Sequence, residues 1–184
     1  MRTEYIWEVK VKNTPTLKRK CNHCSSNRFY CSNKFRMNAQ KRNIDVWLIY
    51  RCVECDSTYN LTIFSRTKPE LIKKDVFLKF SENDENLAWE YAFSSETGRK
   101  NGVEPDYSNV EYEIQHDNIS INDILNTEDE IIAFKIRTPF EFGLKLSSVI
   151  RFCLGLSSNL FNQVIKAEAV FTPEGYPIKK HRVK

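Results

Sequence analysis

The stretch CNHCSSNRFYCSNKFRMNAQKRNIDVWLIYRCVEC, residues 21–55, decides the reading of the fold. It opens on Cys21-x-x-Cys24 and closes on Cys52-x-x-Cys55, with 27 residues between the pairs. A C-x-x-C turn brings two thiolates together, and two such turns complete a tetrahedral site of the kind that holds structural zinc. The residues between the pairs read as strands. KFRMN (34–38) alternates, VWLIY (46–50) is a short apolar run of the kind covered on both faces, and YNLTIF (59–64) sets Tyr59, Leu61 and Ile63 on one side. The expectation is a three-stranded zinc ribbon over residues 28–64, with Cys21, Cys24, Cys52 and Cys55 as ligands. Cys31 is expected in a strand interior and Cys153 in a helix core, and His23 is a weaker candidate ligand.

The competing readings of the cysteines are redox dithiols or coincidence. A redox C-x-x-C normally opens a helix, where the helix N-terminus stabilises the thiolate. Neither pair here precedes a helical pattern. A closed site of four thiolates leaves no position for a reacting water, so it implies stability rather than catalysis.

Charge is uneven along the 184 residues. Residues 1–60 carry 12 Lys/Arg against 5 Asp/Glu, residues 61–136 carry 8 against 16, and residues 137–184 carry 8 against 3. Two basic ends flank an acidic middle. Basic ends suit an anionic partner such as nucleic acid; equally, they suit docking on the acidic middle. On the ribbon, Arg28, Lys34, Arg36, Lys41 and Arg42 interleave with Tyr30 and Phe35, a pattern of phosphate-binding and stacking groups or of a solvated sheet face. No apolar run approaches the ~18 residues of a membrane helix. The N-terminus has no signal-peptide core, so the expectation is a cytoplasmic protein.

Outside the ribbon, Tyr5, Trp7, Val9 and Val11 alternate as a strand. Thr67-x-x-Glu70 with Pro69 predicts a helix start, with Ile72, Val76 and Phe80 on its apolar face. Residues 83–93 predict a second helix and GRKNG (98–102) a loop. Residues 110–114 and 132–136 predict strands, and 119–125 a short helix. Boundaries are expected near 65–68 and 126–130. This gives an α+β chain of three parts: a zinc ribbon (1–66), an acidic connecting unit of helices and strands (67–128) and a C-terminal module (129–184).

In that module, Leu146, Val149, Ile150, Cys153 and Leu154 form one helix face. Gly155 suits a left-handed stop and Ser157 suits the cap of a second helix. Leu160, Phe161, Val164 and Ile165 are its apolar residues. Val170 and Phe171 begin a strand, PEG (173–175) turns the chain and PIKKHRV returns it. This αα-hairpin with β-hairpin resembles the RNA-binding domain named after ribosomal small-subunit protein S-four. Leu154-Gly155-Leu156-Ser157 align with that family's L-G-L-S, and Lys145, Leu146, Ile150, Ile165 and Val170 fall on motif positions. Ser147, Ser148, Ser158 and Glu168 replace the family's Asp, Lys, Arg and Gly. The resemblance implies RNA contact through Lys145, Arg151, Lys166, Lys179, Lys180 and Arg182, with Lys184 also basic.

The whole chain also resembles an uncharacterised bacterial family, domain of unknown function number ten-sixty-two. That likeness rests on W-E-V near the start, both C-x-x-C pairs, K-F-R-M-N-A, and D-V-W-L-I-Y-R-C followed by Y-N-L-T-I-F. It implies a bacterial cytoplasmic origin and the metal site, and no activity.

No G-x-G-x-x-G, P-loop, G-x-S-x-G or H-E-x-x-H occurs, and His23, His116 and His181 are scattered. The leading expectation is a non-catalytic zinc-containing RNA-binding protein acting near ribosomes, tRNA or translation, with no small-molecule substrate. The alternatives are a zinc-ribbon adaptor for a protein partner, with a structural S-four-like module, and a zinc-ribbon DNA-binding regulator. A redox or RNA-modifying role ranks last.

Overall fold

The computed structural model describes residues 3–126 and 131–183. It is an α+β structure with two sheets and six α-helices among the described residues. Two compact units share the chain: residues 13–110 form one, and residues 1–12 with 111–184 form the other.

The unit of residues 13–110 is built on β3 (Arg28–Gln40), β4 (Asn43–Cys52) and β5 (Thr58–Thr67). These are the three antiparallel strands expected from the sequence. Short β2 (Thr16–Lys18) and β6 (Glu104–Asp106) extend the sheet to the order β5-β4-β3-β2-β6. β4 lies between β5 and β3 and alternates strictly. Val46, Leu48, Tyr50 and Cys52 are sealed in the core, whereas Trp47 and Ile49 are only half-buried on the other face. VWLIY is therefore covered on one face and partly open on the other, not covered on both.

Three helices, α1 (Lys74–Glu82), α2 (Glu85–Phe93) and α3 (Ser95–Lys100), belong to this unit. Phe80 of α1 and Leu87 of α2 complete a core with Ile44, Val46 and Ile72. Ala88 and Ala92 of α2 lie against Leu48, Tyr50 and Leu61, where small side chains let helix and sheet approach. Asp84 caps α2 by accepting from the Leu87 amide at 2.7 Å. The expected start at Thr67 does not form. Thr67 remains in β5, a single 3-10 turn follows at Pro69–Leu71, and α1 begins only at Lys74. Residues 98–100 of the expected loop instead close α3.

The ends of this sheet are joined by residues 101–106. The Asn101 side chain makes two bonds to the backbone of Thr62 on edge strand β5, at 2.8 and 2.9 Å. Three residues later, β6 pairs with β2 on the opposite edge, so the sheet is curled. Arg28 of β3 forms an ion pair with Asp106 of β6, across the intervening strand.

In the second unit, β1 (Thr3–Val11) is the middle strand of a three-stranded sheet. It pairs antiparallel with β7 (Tyr112–Gln115) and parallel with β8 (Ile132–Arg137). Trp7 and Val9 face inward at 1% exposure, and Trp7 lies 4.4 Å from Phe134 between ring centroids. Ser120 and Asp123 form a reciprocal capping box for α4 (Ile121–Leu125). α5 (Leu146–Cys153) and α6 (Ser158–Lys166) form as expected, with Gly155 at φ 61° between them and the Ser157 hydroxyl accepting from Leu160. Cys153 is buried on α5. Glu168 stops α6 at φ 55°, in the left-handed conformation natural to the glycine of the resembled motif.

The expected β-hairpin after α6 is absent among the described residues. Thr172–Gly175 does turn, but a second turn follows at once, with the amides of Lys180 and His181 bonded to the Pro177 carbonyl. The return segment is thus bent rather than extended. It runs back beside residues 144–146 instead of 170–171, through Leu146 N to His181 O at 3.1 Å and Val183 N to Leu144 O at 2.8 Å.

These pairings divide the chain differently from the expected boundaries at 66/67 and 128/129. Residues 1–12 belong with 111–184 because β1 pairs with β7 and β8, more than a hundred residues away. Helices α1 and α2 of the acidic connecting stretch belong with the cysteine-bearing sheet because they supply its core. Residues 13–110 are therefore inserted between β1 and β7, and the strands meet at the junction where the Lys12 amide bonds to the Glu111 carbonyl at 2.8 Å. Of the boundary expected near 126–130, residues 127–130 lie outside the described residues.

The Trp7 indole N–H is buried and finds no acceptor among the described residues. Trp7→Ala is expected to cost about 3–5 kcal/mol in urea unfolding. Trp7→Phe, which keeps a ring and removes the unsatisfied donor, is expected to cost much less.

Candidate functional site

Cys21 and Cys24 lie in the loop between β2 and β3, Cys52 ends β4, and Cys55 lies in the turn before β5. Pairing of Phe29 with Cys52 carries the first loop onto the second turn, and the Val53 amide bonds to the Arg28 carbonyl at 3.2 Å. The four sulfurs all lie within 4.8 Å of one another. Cys21 and Cys55 are 3.6 Å apart, and Cys24 and Cys52 are 3.5 Å apart. With metal–sulfur bonds of about 2.3 Å, the edges of a regular tetrahedron are about 3.8 Å. The cluster therefore fits a metal ion with four thiolate ligands, and these are the four cysteines that the sequence singles out. His23 is exposed and outside the cluster, and Cys31 is buried in β3 opposite Tyr50.

The two cysteine turns share one design. The Cys21 amide bonds to the Ser26 carbonyl at 2.8 Å and the Cys52 amide to the Ser57 carbonyl at 2.9 Å. In the first turn, the amides of His23 and Cys24 point at the Cys21 sulfur; in the second, those of Glu54 and Cys55 point at the Cys52 sulfur. The Ser57 hydroxyl lies 3.2 Å from the sulfurs of both Cys21 and Cys55. Ser26 and Ser57 thus support the site, beyond the four cysteines that the C-x-x-C pattern marks. The signal was present: both pairs read C-x-x-C-x-S, as CNHCSS and CVECDS.

These donors shape the electrostatics. The Ser57 hydroxyl, followed by the His23 amide, lowers the Cys21 thiol to about 6. The Cys24 thiol is pushed up to about 12: the Ser26 amide lowers it, but burial and the Cys52, Cys55 and Cys21 sulfurs together outweigh that effect. Four sulfurs this close do not all hold negative charge unless a cation lies among them. Metal uptake would then release protons, and affinity would fall with falling pH as protons compete for the sulfurs.

The six basic residues expected to contact RNA are all exposed. Lys145 and Arg182, 37 positions apart, form an isolated antiparallel bridge. The Arg182 guanidinium lies over Gly143, 2.7 Å from where a Cβ would stand. Lys179 and Lys180 sit in the turn just before, and Tyr176 stacks on His181 at 4.9 Å with 12° between the rings. Lys145 and Arg182 are thus brought together, with Lys179 and Lys180 exposed in the turn two and three residues before Arg182. Arg151 and Lys166 lie in the last turns of α5 and α6, and no hydrogen bond or bridge among the described residues ties them to the other four. None of the six makes an ion pair among the described residues. Lys184 lies outside the described residues.

Residues 37–175 match the family described as protein of unknown function (DUF1062), and the chain belongs to that family. The match includes Cys52 and Cys55 and begins after Cys21 and Cys24. No curated protein and no solved structure matches the chain. No helix among the described residues is long and apolar enough to cross a membrane.

Cys24→Ser is expected to abolish stoichiometric metal retention, measured by elemental analysis of the purified protein. Ser57→Ala, which keeps all four ligands, is expected to lower metal affinity about 10- to 100-fold in a chelator competition.

Proposed function

We propose that this DUF1062 member is a non-catalytic, zinc-containing RNA-binding protein. Zinc is the metal that four thiolates in tetrahedral array suit best. Held by Cys21, Cys24, Cys52 and Cys55, it would cross-link the β2–β3 loop to the β4–β5 turn. A site filled by four protein ligands leaves no open position for a substrate, which supports a structural role. Structural zinc contributes about 10–16 kcal/mol of binding free energy in small peptides, so chelation is expected to unfold the loop containing Cys21 and Cys24 first.

The observation that carries the RNA reading is the gathering of Lys145 and Arg182 by their bridge, beside Lys179, Lys180 and the stacked Tyr176–His181 pair. Four cations with no ion pair among the described residues suit a phosphate backbone, and an exposed ring such as Tyr176 suits an unpaired base. Phe171, 62% exposed, adds a further ring nearby in the sequence. Arg151 and Lys166 would extend the contact from the helix ends. Proximity to ribosomes, tRNA or translation follows from the S-four resemblance.

One observation favours the adaptor reading. Leu71, Phe77 and Leu78 are exposed on and just before α1, by 73%, 37% and 56%, and apolar exposure of this kind suits a protein partner.

Lys179→Glu/Lys180→Glu is expected to weaken RNA binding at least tenfold and to reduce the salt slope by about one unit for each phosphate no longer neutralised. Filter binding across a salt series measures both. Unchanged affinity in the double variant overturns the assignment of this cluster. A partner recovered in high salt without nucleic acid supports the adaptor instead, and preference for duplex DNA over RNA supports a DNA-binding regulator.

A further inference from the structure

The exposed face of the large sheet carries a second arrangement of cations and rings, separate from the C-terminal cluster. Residues directly opposed across antiparallel strands lie on the same side. The register of β3, β4 and β5 therefore aligns Lys34, Ile49 and Asn60 in one row and Arg36, Trp47 and Thr62 in the next, with Asn38 beside Asp45 beyond them. The other side of the same strands carries the core residues Phe35, Val46, Leu48 and Leu61.

Two clefts follow this track. One of about 360 Å³ is lined by Arg36, Met37, Asn38, Trp47 and Asn60. One of about 810 Å³ lies at the end of the β3–β4 hairpin, lined by Gln40, Lys41, Arg42, Asn43, Asp45 and Arg66. The cations lining the two clefts are Arg36, Lys41, Arg42 and Arg66, against one lining carboxylate, Asp45, and Lys34 adds a fifth cation in the neighbouring row of the same face. Asp45 is already engaged by the Arg66 amide at 2.7 Å. None of the five cations makes an ion pair among the described residues. Towards the metal cluster the face is neutralised instead: Asp56 pairs with Arg51 and accepts from the Tyr30 hydroxyl. The positive track therefore runs from the middle of the sheet to the hairpin end, with Trp47 half-buried between its cations.

We propose that this face binds single-stranded RNA, with a base stacked on Trp47 and the phosphates running along Lys34, Arg36, Arg42 and Arg66. The proposal rests on the reading of the chain as an RNA-binding protein and adds a second, independent surface to it. Side chains two positions apart on a strand are about 6.6 Å apart, a spacing that suits successive phosphates of an extended strand. A half-buried indole offers a stacking face only to an unpaired base, because duplex bases already stack on their neighbours. A sheet surface also does not enter the deep, narrow major groove of A-form RNA.

The test uses the full-length, metal-loaded protein and a fluorescein-labelled uridine oligomer about 12 nucleotides long, within the span of a small sheet platform. Tryptophan emission is expected to be quenched on binding, and the quenching to vanish in Trp47→Phe, which keeps a ring in place and guards against misfolding. Arg36→Glu, at an exposed position, is expected to weaken binding about tenfold and to lower the salt slope by about one unit. Persistent quenching in Trp47→Phe, wild-type affinity in Arg36→Glu, or equal competition by a blunt RNA duplex overturns the proposal. The Lys179→Glu/Lys180→Glu variant is titrated with the same oligomer. If it loses binding while Arg36→Glu does not, the C-terminal cluster stands and the sheet face falls; the reverse result keeps the sheet face alone. No binding by the wild-type protein overturns both.

Discussion

The register of β3 against β4 is the constraint on which the rest of the larger unit depends. Pairing Phe29 with Cys52 sets the first cysteine turn over the second, so that sulfurs from positions 21 and 55 come within 3.6 Å. The same register places Phe35 opposite Leu48 in the core and Arg36 opposite Trp47 on the open face. Because side chains alternate, a slip of one residue would exchange these faces and separate the sulfurs. The bulge between Cys31 and Lys34 accommodates two extra residues without breaking this order. Asn33 takes φ 57° there and donates to Glu85 on α2 at 2.9 Å.

Metal and sheet would stabilise one another. The four thiols lie at the end of a sheet whose core is already apolar, with Cys21 and Cys52 at 3% and 1% exposure. A metal there would join the two cysteine-bearing segments, which the pairing of Phe29 with Cys52 already sets side by side. The helices complete the other end of the core through Phe80 and Leu87. The part of the acidic stretch up to Val110 accordingly belongs to the cysteine-bearing unit, and the part from Glu111 onwards belongs to the other.

Much of the candidate site is legible in local pattern. The paired C-x-x-C turns give the four-cysteine cluster, alternation gives β1, β3, β5, β7 and β8, and the apolar run VWLIY gives β4, though not which of its faces is covered. The i, i+3, i+4 spacing with Gly155 and Ser157 gives α5 and α6. The recurring serine in C-x-x-C-x-S was equally local and marks the hydroxyl that lowers the Cys21 thiol. The C-terminal return was misleading because strand-like composition from 176 to 183 is overridden by Pro177, which starts a turn, and by backbone partners at Leu144 and Leu146. Thr67 likewise carries a helix-cap signature, yet the cross-strand pairing of Ile44 with Thr67 keeps it in the sheet.

What the sequence by itself determined is the set of short-range choices: which residues are strand or helix, which four cysteines pair up, and where charge concentrates. Those depend on side-chain period and on turn chemistry within a few residues. What only the tertiary structure decided is which distant segments meet. Residues 13–110 are inserted between β1 and β7, Asn101 closes the edge of β5, and Arg182 joins Lys145. Such pairings are selected by burial and by backbone hydrogen bonds between segments that carry no mark of their partner, so no local pattern specifies them.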